Sequence, residues 1–116
     1  MSQFFTERER PFVAGAAMNI HLRVTLTAGQ LQLADATTKE IGTLFRNSTS
    51  GKEVGVTLRT AQGTIQMVAS EAIGAGAEVF AAAGGKVATS GTVSIGHALS
   101  AGSGDNSIIE VLRNAA

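Results

Sequence analysis

Val24-Thr-Leu-Thr-Ala-Gly-Gln-Leu31 reads as two short strands about a glycine turn, and the chain writes the pattern again as Val79-Phe-Ala-Ala-Ala-Gly-Gly-Lys-Val87. Each copy continues alike. Glu40-Ile-Gly-Thr-Leu-Phe45 follows the first and Ser94-Ile-Gly-His-Ala-Leu99 the second, so the Ile41-Gly42 pair recurs as Ile95-Gly96. Gly51 to Leu58 and Asp105 to Leu112 close the two passes, with Leu58 recurring as Leu112. A repeat of strand-sized pieces specifies a small duplicated β scaffold. The competing reading is chance similarity among strands rich in Gly, Ala and Val.

Working outward from the repeat, the hydrophobic period is two. Ile20, Leu22, Val24 and Leu26 alternate with His21, Arg23 and Thr25, which predicts a half-buried strand with its polar side in solvent. Val54, Val56 and Leu58 alternate with Gly55, Thr57 and Arg59 in the most regular strand of the chain. Ile65 and Met67 face inward from the next. Asn47-Ser-Thr-Ser-Gly51 and Ser100-Ala-Gly-Ser-Gly-Asp-Asn106 are turns at matching places. Glu71–Ala83 is the one stretch with helical composition, and Gly74 and Gly76 argue against a helix there. Short, evenly spaced strands of this kind predict an all-β fold, a small barrel or sandwich with an internal pseudo-two-fold repeat.

The two passes do not align at one offset. Leu31 matches Val87 at 56 residues and Ile41 matches Ile95 at 54. For the last strand an offset of 54 sets Glu110 opposite Val56, and 55 sets Val111 there. One residue of slip exchanges the faces of a strand. Ile109 and Val111 are the favoured inward pair, because Glu110 is then solvated.

Residues 1–17 stand outside the pattern and read as an extended N-terminal arm before a β domain at 18–116. Phe4, Phe5 and Phe12 flank Glu7-Arg8-Glu9-Arg10, and Pro11 biases Arg10 away from helix. Fully extended, such an arm reaches roughly 55 Å at about 3.3 Å per residue. Burying each phenylalanine is worth roughly 1.5–3 kcal/mol, so the arm is expected to dock on another molecule. The alternative is that it folds back on its own domain as an edge strand.

Composition narrows the chemistry. The 116 residues make one domain, with 9 basic and 9 acidic side chains and a formal net charge of zero. Nothing is left over to neutralise phosphates, so no nucleic-acid partner is expected. Only 16% of residues are charged, and a surface this poor in charge is expected to be covered in part by other subunits. There is no cysteine, hence no disulfide and no thiolate metal site. The first residues lack the basic start and apolar run of a secretion signal, and no stretch is long enough to span a membrane. Synthesis in a cytoplasm, with export inside a particle or by lysis, is the expectation.

No constellation carries catalysis. His21 and His97 have no patterned acids or cysteines beside them. The acids are scattered on turns and polar faces, and the serines lie in turns without a nucleophile elbow. Gly74-x-Gly76 and Gly102-x-Gly104 lack the strand-to-helix setting of a phosphate loop. No enzyme activity, cofactor, metal or small-molecule substrate is expected.

Val93-Ser-Ile-Gly-His-Ala-Leu-Ser-Ala-Gly-Ser-Gly-Asp-Asn-Ser-Ile-Ile-Glu-Val-Leu112 resembles the closing segment of tailed-phage capsid cement proteins, also called head decoration proteins. That family has an Ile-Gly-x-Ala stretch, a Gly/Ala/Ser/Asp turn and a final hydrophobic strand. Ile73-Gly-Ala-Gly-Ala-Glu-Val79 and Gly84-Gly-Lys-Val87 resemble the segment before it. The resemblance is best over 71–113, weaker over 18–60 and absent from the arm. It implies a small β protein on the capsid exterior, clamping neighbouring major capsid protein subunits and commonly trimeric. The expected capsid-binding residues are Phe4, Phe5 and Phe12 as apolar anchors, with Arg8 and Arg10 pairing with acids. The alternatives are a biotinyl or lipoyl carrier domain, for which Lys86 is the only hairpin lysine, and a phage tail or fibre module.

Overall fold

In Glu53-Val-Gly-Val-Thr-Leu58 the alternation puts Val54 and Val56 on one face, and both are buried. The same rule holds from strand to strand. The computed structural model describes residues 9–61 and 63–114. The first five strands are β1 (Glu9–Val13), β2 (Arg23–Thr27), β3 (Gln30–Leu33), β4 (Gly42–Leu44) and β5 (Glu53–Leu58). They form one antiparallel sheet in the order β1-β5-β4-β2-β3. The next five are β6 (Ile65–Val68), β7 (Glu78–Ala81), β8 (Val87–Ala88), β9 (Ser94–Ala98) and β10 (Ile108–Arg113). Their order is β6-β10-β9-β7-β8. The second sheet is the first written again, strand for strand.

The pairing registers fix the repeat. Arg10, Pro11, Phe12 and Val13 of β1 face Val56, Gly55, Val54 and Glu53 of β5. Ile65, Gln66, Met67 and Val68 of β6 face Val111, Glu110, Ile109 and Ile108 of β10, each residue 55 further on. Across the middle strands Val24 pairs with Gly42 and Val79 with Gly96. Gly42 then faces Leu58, and Gly96 faces Arg113. The counterpart of Leu58 is therefore Arg113 and not Leu112, and the 55-residue offset is the one that holds for the last strand. Ile109 and Val111 point inward and are buried, as their alternation with Glu110 requires.

The repeat also reaches further back than the sequence suggests. The described part of the expected arm, residues 9–17, lies within the first lobe. Glu9–Val13 is its edge strand, and β1 is the counterpart of β6. Pro11, which has no N–H to give a ladder, is accommodated at this edge. Each sheet curls until its edges meet. Ala14 makes a single parallel bridge to Leu31, and Ala69 makes the same bridge to Val87. Both alanines are fully buried.

Each lobe closes on its own core. Met18, Val24, Leu31, Leu44, Val54 and Val56 fill the first. Met67, Val79, Val87, Ile95, Ile109 and Val111 fill the second. At roughly 1.5–3 kcal/mol for each buried aliphatic side chain, these two clusters are what holds the strands. Gly42 and Gly96 do equivalent work between strands. A Cβ on Gly42 would collide with the Thr57 carbonyl oxygen, and one on Gly96 with that of Leu112.

Candidate interaction surface

One face of each sheet lines its core; the other face differs sharply between the lobes. In the first sheet, Arg23, Thr43 and Thr57 form a row across β2, β4 and β5. All three are buried, at 0%, 1% and 4% exposure. The second lobe closes over Arg23, and Thr43 and Thr57 line the cleft between the lobes. The Arg23 guanidinium donates to four backbone carbonyls, two from each lobe. In its own lobe it reaches Thr38 (3.2 Å) and Asp35 (3.3 Å). In the other it reaches Ala82 (2.8 Å) and Lys86 (3.1 Å), which close the hairpin between β7 and β8. The Glu40 carboxylate lies 3.6 Å away, buried to 1% exposure. That separation is ion pairing without a hydrogen bond. Burial pushes the Arg23 pKa down, and Glu40 pushes it back up.

The packing here is close. Gly85, in the β7–β8 hairpin, donates its N–H to the Ala34 carbonyl at 2.9 Å. A Cβ on Gly85 would stand 2.7 Å from the Arg23 carbonyl oxygen. Arg113 returns the link, donating to the carbonyls of Leu58 (3.0 Å) and Ala61 (3.1 Å). The sequence pattern placed Arg23 on a solvated polar face. The alternation was right, but a second lobe, not water, lies against that face.

Between the lobes runs a cleft of about 580 Å³, lined by Glu9, His21, Thr43 and Phe45 on one side and Gln66 and Glu110 on the other. His21 is in the left-handed region at φ 72°. Its N–H donates to the Leu44 carbonyl just as that of Gly76 donates to Ala98, so the second lobe has a glycine where the first holds a histidine backbone in a strained left-handed conformation. Partial burial holds the His21 pKa below the ordinary value. Among the described residues no group of three His, Asp or Glu side chains is placed to hold a metal ion. No described helix is long and apolar enough to cross a membrane.

The expected capsid-binding residues separate into two sets. Phe4, Phe5 and Arg8 lie outside the described residues. Arg10 and Phe12 lie on β1, where Phe12 is half-buried against the first core. The exposed Arg10 stacks its guanidinium 5.0 Å from the Phe12 ring centre. Sequence reasoning missed the exposed row Glu78–His97–Leu112 on β7, β9 and β10, the counterpart of Arg23–Thr43–Thr57. The signal was present in the repeat, but the one-residue slip at Leu112 hid it.

No family model and no curated protein sequence matches this chain. A solved structure does: the head fiber gp8.5 N base of bacteriophage phi29 superposes with a TM-score of 0.79 at 12% identity, over 91% of this chain and 92% of that one, and shares its fold.

Proposed function

We propose that this chain is a non-catalytic structural protein of a phage virion, seated on the outside of the head as a capsid cement or decoration protein. Its partner is the major capsid protein, and its working form is a homotrimer. The observation that carries the reading is the fold shared with a phage head fiber base along nearly the whole length of both chains. The resemblance of residues 71–113 to cement proteins, the zero net charge and the scarcity of charged residues support it.

Within this reading the anchoring element is the segment before β1. Phe4, Phe5 and Arg8 enter a groove of the capsid subunit, and the exposed Arg10 adds charge at its base. Phe12 stays with its own core. Deleting residues 1–8 is the appropriate test, because a deletion to residue 17 would remove an edge strand. The shortened chain is expected to keep its melting temperature and to stop co-sedimenting with expanded heads of the phage that encodes it. Undiminished co-sedimentation would sink the proposal.

A second reading is favoured by the same match: the chain forms the base of a fibre that projects from the head. Immunogold labelling of virions separates the two, since cement gives label over the whole head and a fibre base gives label at fibre attachment points. A carrier-domain role fits less well. A modifiable lysine has to project freely, whereas the Lys86 ammonium is paired with Asp105 at 2.8 Å and its carbonyl is taken by Arg23.

A further inference from the structure

The contact between the two lobes runs one way. In a two-fold contact each surface meets its own copy, so Arg23 on the β7–β8 hairpin would require Glu78 on the β2–β3 hairpin. It is not so. Glu78 is exposed and accepts a hydrogen bond from Ser94. His97 is exposed, and Leu112 is 50% exposed where Thr57 is 4%. The β2–β3 hairpin, Thr27-Ala-Gly-Gln30, is exposed throughout. An added Cβ on Gly29 would meet nothing within 4 Å, whereas one on Gly85 would collide with the other lobe. Leu26 and Leu33 beside this tip are 44% and 38% exposed. The molecule thus ends in one used and one unused half of the same kind of contact at each end.

We infer that the chain self-associates head to tail, the Thr27–Gln30 hairpin of one copy docking on the Glu78–His97–Leu112 face of the next. The occupant is a second copy of this chain because its free hairpin is the structural counterpart of the element that covers the first lobe. The chemistry is exchanged and stays complementary. Within the chain a donor-only guanidinium meets carbonyl acceptors. Between chains an acceptor-only Glu78 carboxylate meets the Thr27 hydroxyl and the Gln30 amide, both donors. Leu112 meets the apolar rim made by Leu26 and Leu33. Such heterologous contacts close into rings when the rotation allows, and otherwise continue as chains. This inference needs neither a virion nor a capsid partner; it bears on the proposed homotrimer only in that three such contacts could close into one.

The experiment is sedimentation velocity of the purified full chain over a concentration series. Wild type is expected to associate. Leu112→Glu spoils the face and Thr27→Glu/Gln30→Glu spoils the tip, and each alone is expected to lose every species above monomer. His97→Glu replaces the first variant if Leu112→Glu lowers the melting temperature. The decisive arm is an equimolar mixture of the two variants. One sound tip and one sound face remain, so the mixture forms heterodimers and nothing larger. A monomeric wild type, or association of the mixture no different from that of either variant alone, would overturn the inference. Failure of capsid binding in the 1–8 deletion test leaves this outcome unaffected.

Discussion

Arg23–Thr43–Thr57 and Glu78–His97–Leu112 occupy the same place in two copies of one fold, yet the first row is sealed and the second is exposed. The backbone is not the cause, since the registers match strand for strand. What differs is the neighbour. The first row carries an arginine that reaches two carbonyls in each lobe, with two buried threonines beside the cleft. The second row, with no such neighbour, carries an acid, an imidazole and a leucine. The repeat supplies the frame, and the side chains of each row follow the neighbour that row meets.

The largest effect that can test this comparison comes from Arg23→Ala. It takes the guanidinium donors away from four carbonyls, of which that of Lys86 keeps the Ala82 N–H, and leaves the Glu40 carboxylate buried without its cation. A loss of about 3–5 kcal/mol is expected from removing one partner of a buried pair, measured by urea denaturation. Glu78→Ala, at the matching position, is expected to stay within about 0.5 kcal/mol of wild type, as exposed positions do. Comparable losses at both positions would end the distinction between a covered and an uncovered row. Removing Glu40 together with Arg23 returns part of the loss, because no charge is then left buried.

A middle-sized effect probes what the copies share. Gly42→Ala and Gly96→Ala each drive a methyl into a backbone carbonyl of the adjacent strand. Each is expected to cost about 1–3 kcal/mol, the usual range for overpacking, and the two losses should agree. A large loss at one glycine and none at the other would show that the second sheet is not held as the first is.

His21 and Gly76 offer a smaller contrast. His21→Gly relieves a left-handed conformation and is expected to be neutral or to stabilise by up to about 1 kcal/mol, whereas Gly76→His introduces the strain and destabilises by about 1–2 kcal/mol. His21 also makes stability depend on pH. Its folded pKa lies below the unfolded one, so the unfolded chain takes up the proton first. The His21 contribution is fully present above the unfolded value of about 6.5. It declines as pH falls toward the lower folded value. Melting temperatures of wild type and His21→Asn at pH 8 and pH 5.5 check the sign: the wild type should lose more on acidification.

The smallest effect is at the free hairpin. Ala28 sits at φ 52° in a two-residue loop whose second residue is Gly29. Ala28→Asn suits that turn better, and a gain of about 0.5 kcal/mol in thermal unfolding is expected, near the low end for such backbone changes.

Much of the frame was legible because period-two alternation reports burial directly. Val24, Val54, Val56, Met67, Ile109 and Val111 all lie where the pattern put them. The copy relation of β1 was not legible. Arg10-Pro-Phe-Val-Ala14 and Ile65-Gln-Met-Val-Ala69 share only their last two residues, and the first run's charge and proline suggest an arm. Burial of Arg23 and Glu40 was out of reach for another reason. Alternation says which side of a strand a residue takes, not whether water or a second lobe lies there. Of the residues expected to bind a partner, Phe12 packs against its own core; on β10 the pattern set Leu112 against Leu58, one residue away from its true counterpart Thr57.

Ala14 and Ala69 carry a consequence beyond the fold. A five-stranded sheet left open would present unpaired N–H and C=O groups along both margins, a template for strands of neighbouring molecules. By bridging Ala14 to Leu31 and Ala69 to Val87, the chain takes up part of that template at one point in each lobe. Each margin is thereby shortened where it meets its opposite edge, which leaves fewer unpaired backbone groups to recruit a foreign strand.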